Sequence, residues 1–170
     1  MKSSRNLLAG ALTLVAAFGQ THGDFTGTWK MDPARSESAH QDAASVSTRS
    51  TLVIGFTDSG LTMETTRTEH GRSPAFHETL HVKLDGSETT GPGDAGIPVT
   101  ARAHWDGDRL VVETERNVQN STVTTRYVYT LSADSKEMTV DKTLTVQHGY
   151  QGMGATPAGH GKDVFVRVAN

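Results

Sequence analysis

Residues 77–81 read His77-Glu78-Thr79-Leu80-His81. They match the H-E-x-x-H pattern in which two histidines hold a zinc ion and the glutamate polarises a bound water. The chemistry depends on conformation. On an α-helix, positions i and i+4 lie about 6 Å apart on one face, and both imidazoles reach one Zn²⁺ at about 2.0–2.1 Å. On a strand the same two side chains share a face but stand about 13 Å apart, at roughly 3.3 Å per residue. They then cannot chelate one ion. Elsewhere, His148, Met153 and His160 are residue types that grip a soft metal such as copper, although neither their spacing nor regular structure fixes a site. Trp29, Trp105, Tyr127 and Tyr129 could stack on a bound molecule or simply fill a core. No G-x-S-x-G nucleophile turn is present, and no phosphate-cradling glycine loop precedes a helix.

The residues around the motif choose between helix and strand. Phe76, Leu80 and Leu84 suit helical spacing, but Val82 falls off that stripe. Val82 instead completes a two-residue period, with Phe76, Leu80, Val82 and Leu84 inward and His77, Thr79, His81 and Lys83 outward. Pro74 precedes the segment and Asp85-Gly86 ends it, leaving roughly ten residues, short for an active-site helix. No further histidine or acidic ligand motif follows at zinc-site spacing. The expectation is a strand with two solvent-facing histidines; a zinc hydrolase using His77, His81 and Glu78 is the alternative.

Alternation also points Glu78 inward, and it does the same for Lys142 in the set Met138, Val140, Lys142, Leu144, Val146. Buried charges are costly unless paired, at a rim, or facing a wet cavity. Glu78 and Lys142 either line a polar part of an interior, or sit at strand ends beside a slip in the alternation.

The same period recurs along the chain. Strand signals cover residues 24–31, 51–57, 61–69, 76–84, 97–105, 109–116, 122–131, 138–146 and 164–168, separated by turn residues. Within 97–105, Ile97, Val99, Ala101, Ala103 and Trp105 share one face; within 122–131, Val123, Thr125, Tyr127, Tyr129 and Leu131 do. Residues 36–46 allow a short helix. Residues 87–96 and 148–163 are Gly-rich and read as loops. About nine or ten antiparallel strands joined by tight turns form an all-β up-and-down meander. Closing it into a barrel removes its raw edges; a β-sandwich is the structural alternative.

The first residues suggest a destination. Lys2 and Arg5 precede a largely apolar run from Leu7 to Phe18, and Gly19 and Gly23 are both candidate last residues before a cut. That is the layout of a secretory signal peptide over residues 1–23, too short to span a bilayer with its roughly 20 apolar residues. Residues 24–170 then form one exported domain, periplasmic or extracellular, with no membrane span. The whole chain carries 16 Lys+Arg against 19 Asp+Glu, a formal charge of −3. Loss of Lys2 and Arg5 makes it more acidic, so it lacks the basic footprint nucleic acid requires. It has no cysteine, and therefore no disulfide and no thiolate-held metal.

At Gly27-Thr28-Trp29 the chain resembles the lipocalin and fatty-acid-binding (calycin) barrels, which open on G-x-W. The resemblance implies that Trp29 closes the barrel floor and that Arg167, in the final VFVRV segment, packs across its ring. The layout from DFTGTWKMDPARS through YTLSADSKEMTV to VFVRV is similar to small secreted bacterial lipocalin-like proteins. The T-D-x-Y-type second motif of true lipocalins and their helix after the barrel are absent from the sequence.

Together these readings give an exported lipocalin-like barrel without catalysis, resident metal or cofactor. It is expected to bind a small apolar or amphipathic molecule, with Glu78, Lys142, Trp105, Tyr127 and Tyr129 as candidate contacts and Gly27, Trp29 and Arg167 as closure. An interior of about eight strands has just enough room for packed side chains or one small ligand. A barrel filled by its own side chains, acting through its surface or enduring stress outside the cell, is the remaining reading.

Overall fold

The computed structural model describes residues 22–37, 49–58, 60–68, 75–149 and 155–169. The stretch 1–21 of the expected leader, most of the 36–46 stretch, Pro74 and Met153 lie outside the described residues. Ten strands follow in order: β1 (Gly27–Met31), β2 (Arg49–Thr57), β3 (Gly60–Thr68), β4 (Phe76–Val82), β5 (Thr89–Pro92), β6 (Pro98–Asp106), β7 (Arg109–Val118), β8 (Ser121–Leu131), β9 (Glu137–His148) and β10 (Ala155–Arg167).

They form one antiparallel sheet in the order β4-β3-β2-β1-β10-β9-β8-β7-β6-β5. The first and last strands pair, with Trp29 opposite Arg167, so the meander wraps round on itself and its two free edges are β4 and β5. Those edges approach one another at a seam. The architecture is thus a nearly closed barrel, and the sandwich alternative falls. Across the seam, the backbone N–H of His77 on the β4 edge donates to Asp94 Oδ1 at 3.2 Å, which gives one edge amide a partner.

Two segments read as loops contain strands. Residues 87–96 hold β5, which pairs with β6 from Thr89 opposite Ala101 to Pro92 opposite Pro98. A 3₁₀ turn over Asp94–Gly96 follows. A proline at the end of an edge strand costs no ladder bond, because no neighbour needs its missing N–H. Residues 155–163 belong to β10, whose pairing with β9 shifts register between Pro157 and Gly159; the irregularity absorbs the proline.

Alternation builds a two-level interior. The lower level is packed: Phe25, Trp29, Ile54, Leu61, Leu110 and Met138 are each at most 2% exposed. Burial of such a side chain is worth about 1.5–3 kcal/mol, which makes this level the stable floor. Above it the inward positions turn polar, with Thr65 and Arg67 on β3, Glu78 on β4, Thr114 and Arg116 on β7, and Lys142 on β9. Side chains that demand partners cannot interdigitate as alkyl groups do, and the interior opens there.

Candidate ligand-binding cavity

The opening is a cavity of about 830 Å³. Leu52, Met63, Leu80, Val112 and Val140 line it toward the floor, and the charged side chains line it above. The volume lies within the roughly 300–1,000 Å³ usual for small-molecule sites.

Its charges are paired across strands. Glu78 is 6% exposed, and its Oε2 accepts from Arg116 Nη2 at 2.5 Å. Arg116 Nη1 also donates to Thr114 Oγ1 at 3.1 Å. Lys142 Nζ donates to the buried carboxylate of Asp163, reaching Oδ2 at 2.6 Å. Glu78 and Lys142 both line the cavity, each held by its own counter-ion. The guanidinium of Arg67 lies 4.5 Å from the ring centre of Phe76 on the same lining.

Arg116, Arg67 and Asp163 were missed in the sequence reading. A signal existed for the first two: Leu110-Val112-Thr114-Arg116 and Leu61-Met63-Thr65-Arg67 keep one phase, so the arginines must face inward if the strands run to their ends. Asp163 was hidden because its segment reads as a loop.

Tyr127 and Tyr129 line the cavity with ring centres 6.2 Å apart. Tyr129 donates its hydroxyl to Met63 Sδ at 3.4 Å. Burial pushes the Tyr127 phenol above its ordinary value and the Tyr129 phenol well above it, since a phenolate loses solvation inside. Trp105 is placed differently from the expectation. It is not part of the cavity lining but stacks on His22 at 4.0 Å, with Phe25 and Phe56 beside it. It is the last inward position of β6, so it falls at the closed end.

That end shows what the G-x-W segment does. The Arg167 guanidinium lies 4.2 Å from the Trp29 ring centre. Its Nε donates to the Ser135 carbonyl at 2.9 Å, its Nη2 to the Asp24 carbonyl at 2.5 Å, and its Nη1 to the Thr26 carbonyl. Trp29 Nε1 donates to the Phe25 carbonyl at 2.9 Å. Gly27 has φ +123°, and a Cβ there would stand 3.2 Å from Arg167 Nη1. Glycine is favoured by the backbone conformation, and a Cβ would also press on the arginine.

The HETLH motif lies on β4, not on a helix. His77 Nε2 is 3.0 Å from Glu64 Oε1 and His81 Nδ1 is 3.2 Å from Thr62 Oγ1, so each imidazole is exposed and engaged with a separate residue of β3. His148 ends β9, while His160 on β10 sits opposite Thr143, about 17 Å along the ladder at roughly 3.4 Å per residue. The structure does not bring those two together. Among the described residues, no group of three or more His, Cys, Asp or Glu side chains could hold a metal ion. No helix among them is long and apolar enough to cross a membrane.

Solved structures share the fold at low sequence identity. A secretory abundant heat soluble protein from Ramazzottius varieornatus superposes at TM-score 0.52 and 12% identity, over 88% of this chain and 98% of its own. Secretory abundant heat soluble protein 4 from the same organism gives 0.51 and 16%, over 89% and 100%. Lipid binding protein 8 from Caenorhabditis elegans, in its apo form, gives 0.50 and 12%, over 85% and 95%. At such identities the likeness is one of fold, that of a calycin-type barrel. No protein-family model matches the sequence, and no curated protein sequence matches it significantly.

Proposed function

We propose that the protein is an exported, non-catalytic binder that holds one small apolar or amphipathic molecule inside the barrel. The observation that carries this reading is the cavity of about 830 Å³, apolar toward the floor and charged above. Such a lining suits a molecule with an alkyl or ring body and one polar end. The C. elegans neighbour is named for lipid binding, which accords with this use of the fold. The secretory, heat-soluble neighbours accord by name with the alternative of a barrel that endures stress outside the cell, but the space in the interior favours a bound molecule. Export rests on the leader-like layout of residues 1–23.

Native mass spectrometry on untagged protein tests the binding role. The folded protein is expected to carry, or to take up from a lipid extract, one small molecule per chain. The Glu78→Leu/Lys142→Leu double variant is expected to lose that adduct. An empty wild-type barrel that takes up nothing, or a double variant that retains its adduct, would overturn the assignment. Fractionation of cells expressing the full chain, with sequencing of the mature N-terminus, tests export: the new terminus is expected at Gln20 or Asp24.

A further inference from the structure

Glu78 uses only half of its carboxylate. Oε2 is taken by Arg116, whereas Oε1 is buried and has no hydrogen-bond partner among the described residues. It is the one buried carboxylate oxygen there in that state. A buried acceptor left unpaired is destabilising, and native interiors leave few of them. The oxygen lies against the β4–β5 seam: a Cβ on Gly93, in the turn after β5, would stand 3.0 Å from it. Glu78 lines both the main cavity and a second space of about 460 Å³ along that seam. It therefore stands in the partition between the two, and glycine at 93 keeps a Cβ from crowding its unpaired oxygen.

Resting on the binding role proposed above, we propose that Glu78 Oε1 receives the polar end of the ligand, and that this end is a hydroxyl. A carboxylate head is ionised near pH 7 (carboxyl pKa about 4) and has no proton to donate. It would leave Oε1 unpaired. An ammonium could donate, but Glu78 is already neutralised by Arg116, as Lys142 is by Asp163, so the lining offers these pairs and no net negative charge to hold it. A neutral hydroxyl completes the oxygen without adding charge. The apolar body then extends across the barrel toward Met31, Leu144 and Phe165, on the strands facing β4.

Calorimetric titration of the full chain with dodecan-1-ol, dodecanoate and dodecylammonium, which share one alkyl chain, tests the head-group. The alcohol is expected to bind about tenfold more tightly than either ion, a difference of about 1.4 kcal/mol. In Glu78→Gln, an amide that keeps its carbonyl on Arg116 turns a donor toward the seam, and the preference is expected to vanish or pass to dodecanoate. Glu78→Met/Arg116→Met, which removes both charges together, is expected to bind alcohol and dodecanoate within about threefold of each other, and it serves if the amide variant does not fold. Tighter binding of either ion to wild type, or an alcohol preference that survives in the variants, overturns this inference and leaves the binding role standing. If none of the three binds wild type, the binding role falls and the inference with it.

Discussion

Replacing Arg116 by Met leaves Glu78, 6% exposed, without the counter-ion now 2.5 Å away. Removing one partner of a buried ion pair costs about 3–5 kcal/mol when the remaining charge is fully enclosed. Glu78 borders a polar cavity that water can enter, which lowers the expected cost to about 2–3 kcal/mol. Glu78→Met strands the other charge more gently: Arg116 is 19% exposed and keeps Thr114, for an expected loss of about 1–2 kcal/mol. The double variant removes both charges and sets two thioethers against Leu80 and Val112, and it should lie within about 1 kcal/mol of wild type. The two changes are thus expected to couple by about 2 kcal/mol or more. Urea unfolding followed by tryptophan fluorescence measures all four proteins. An Arg116→Met loss below about 0.5 kcal/mol, or a double variant as unstable as the sum of the singles, would refute the claim that the interior holds this pair as a unit.

Arg167→Ala removes the cation over Trp29 and the donors to three backbone carbonyls. A loss of about 3 kcal/mol is expected, with a shift in Trp29 emission; a loss under about 1 kcal/mol would show that the floor closes without it. Burial holds the protons of Tyr127 and Tyr129 more tightly than the unfolded chain does. Their contribution is therefore complete below the ordinary tyrosine value of about pH 10 and declines as pH rises beyond it, where the unfolded chain deprotonates first. Melting temperatures between about pH 9 and pH 11 should fall more steeply for wild type than for Tyr129→Phe, and parallel slopes would count against the buried phenol.

Much of this protein is legible from local pattern. The two-residue period through Phe76, Leu80 and Val82 was enough to remove the zinc motif from a helix, and the same period set Glu78 and Lys142 on the inner face. Gly27 and Trp29 announced the closed end because their roles are set by backbone angle and size at one place in the chain. Where local pattern and neighbours disagree, the pattern misled. Gly91, Pro92 and Gly159 speak for loops, yet β5 and the first half of β10 are strands because β6 and β9 offer them a ladder. Trp105 shares its phase with the inner face, but only the length of β6 decides that it lands at the floor.

Alternation tells which face a side chain takes and nothing of which side chain it meets there. Glu78 finds Arg116 thirty-eight residues on, and Lys142 finds Asp163 twenty-one residues on, because curvature and register bring those strands to one wall. The cavity is likewise a property of the closed sheet: a space between walls exists only once the circumference is set. The sequence by itself determined most of the strands, the inward carboxylate and the outward face of the motif's histidines. Tertiary structure decided which charges pair, how much room they leave, and that one buried oxygen of Glu78 is left without a partner.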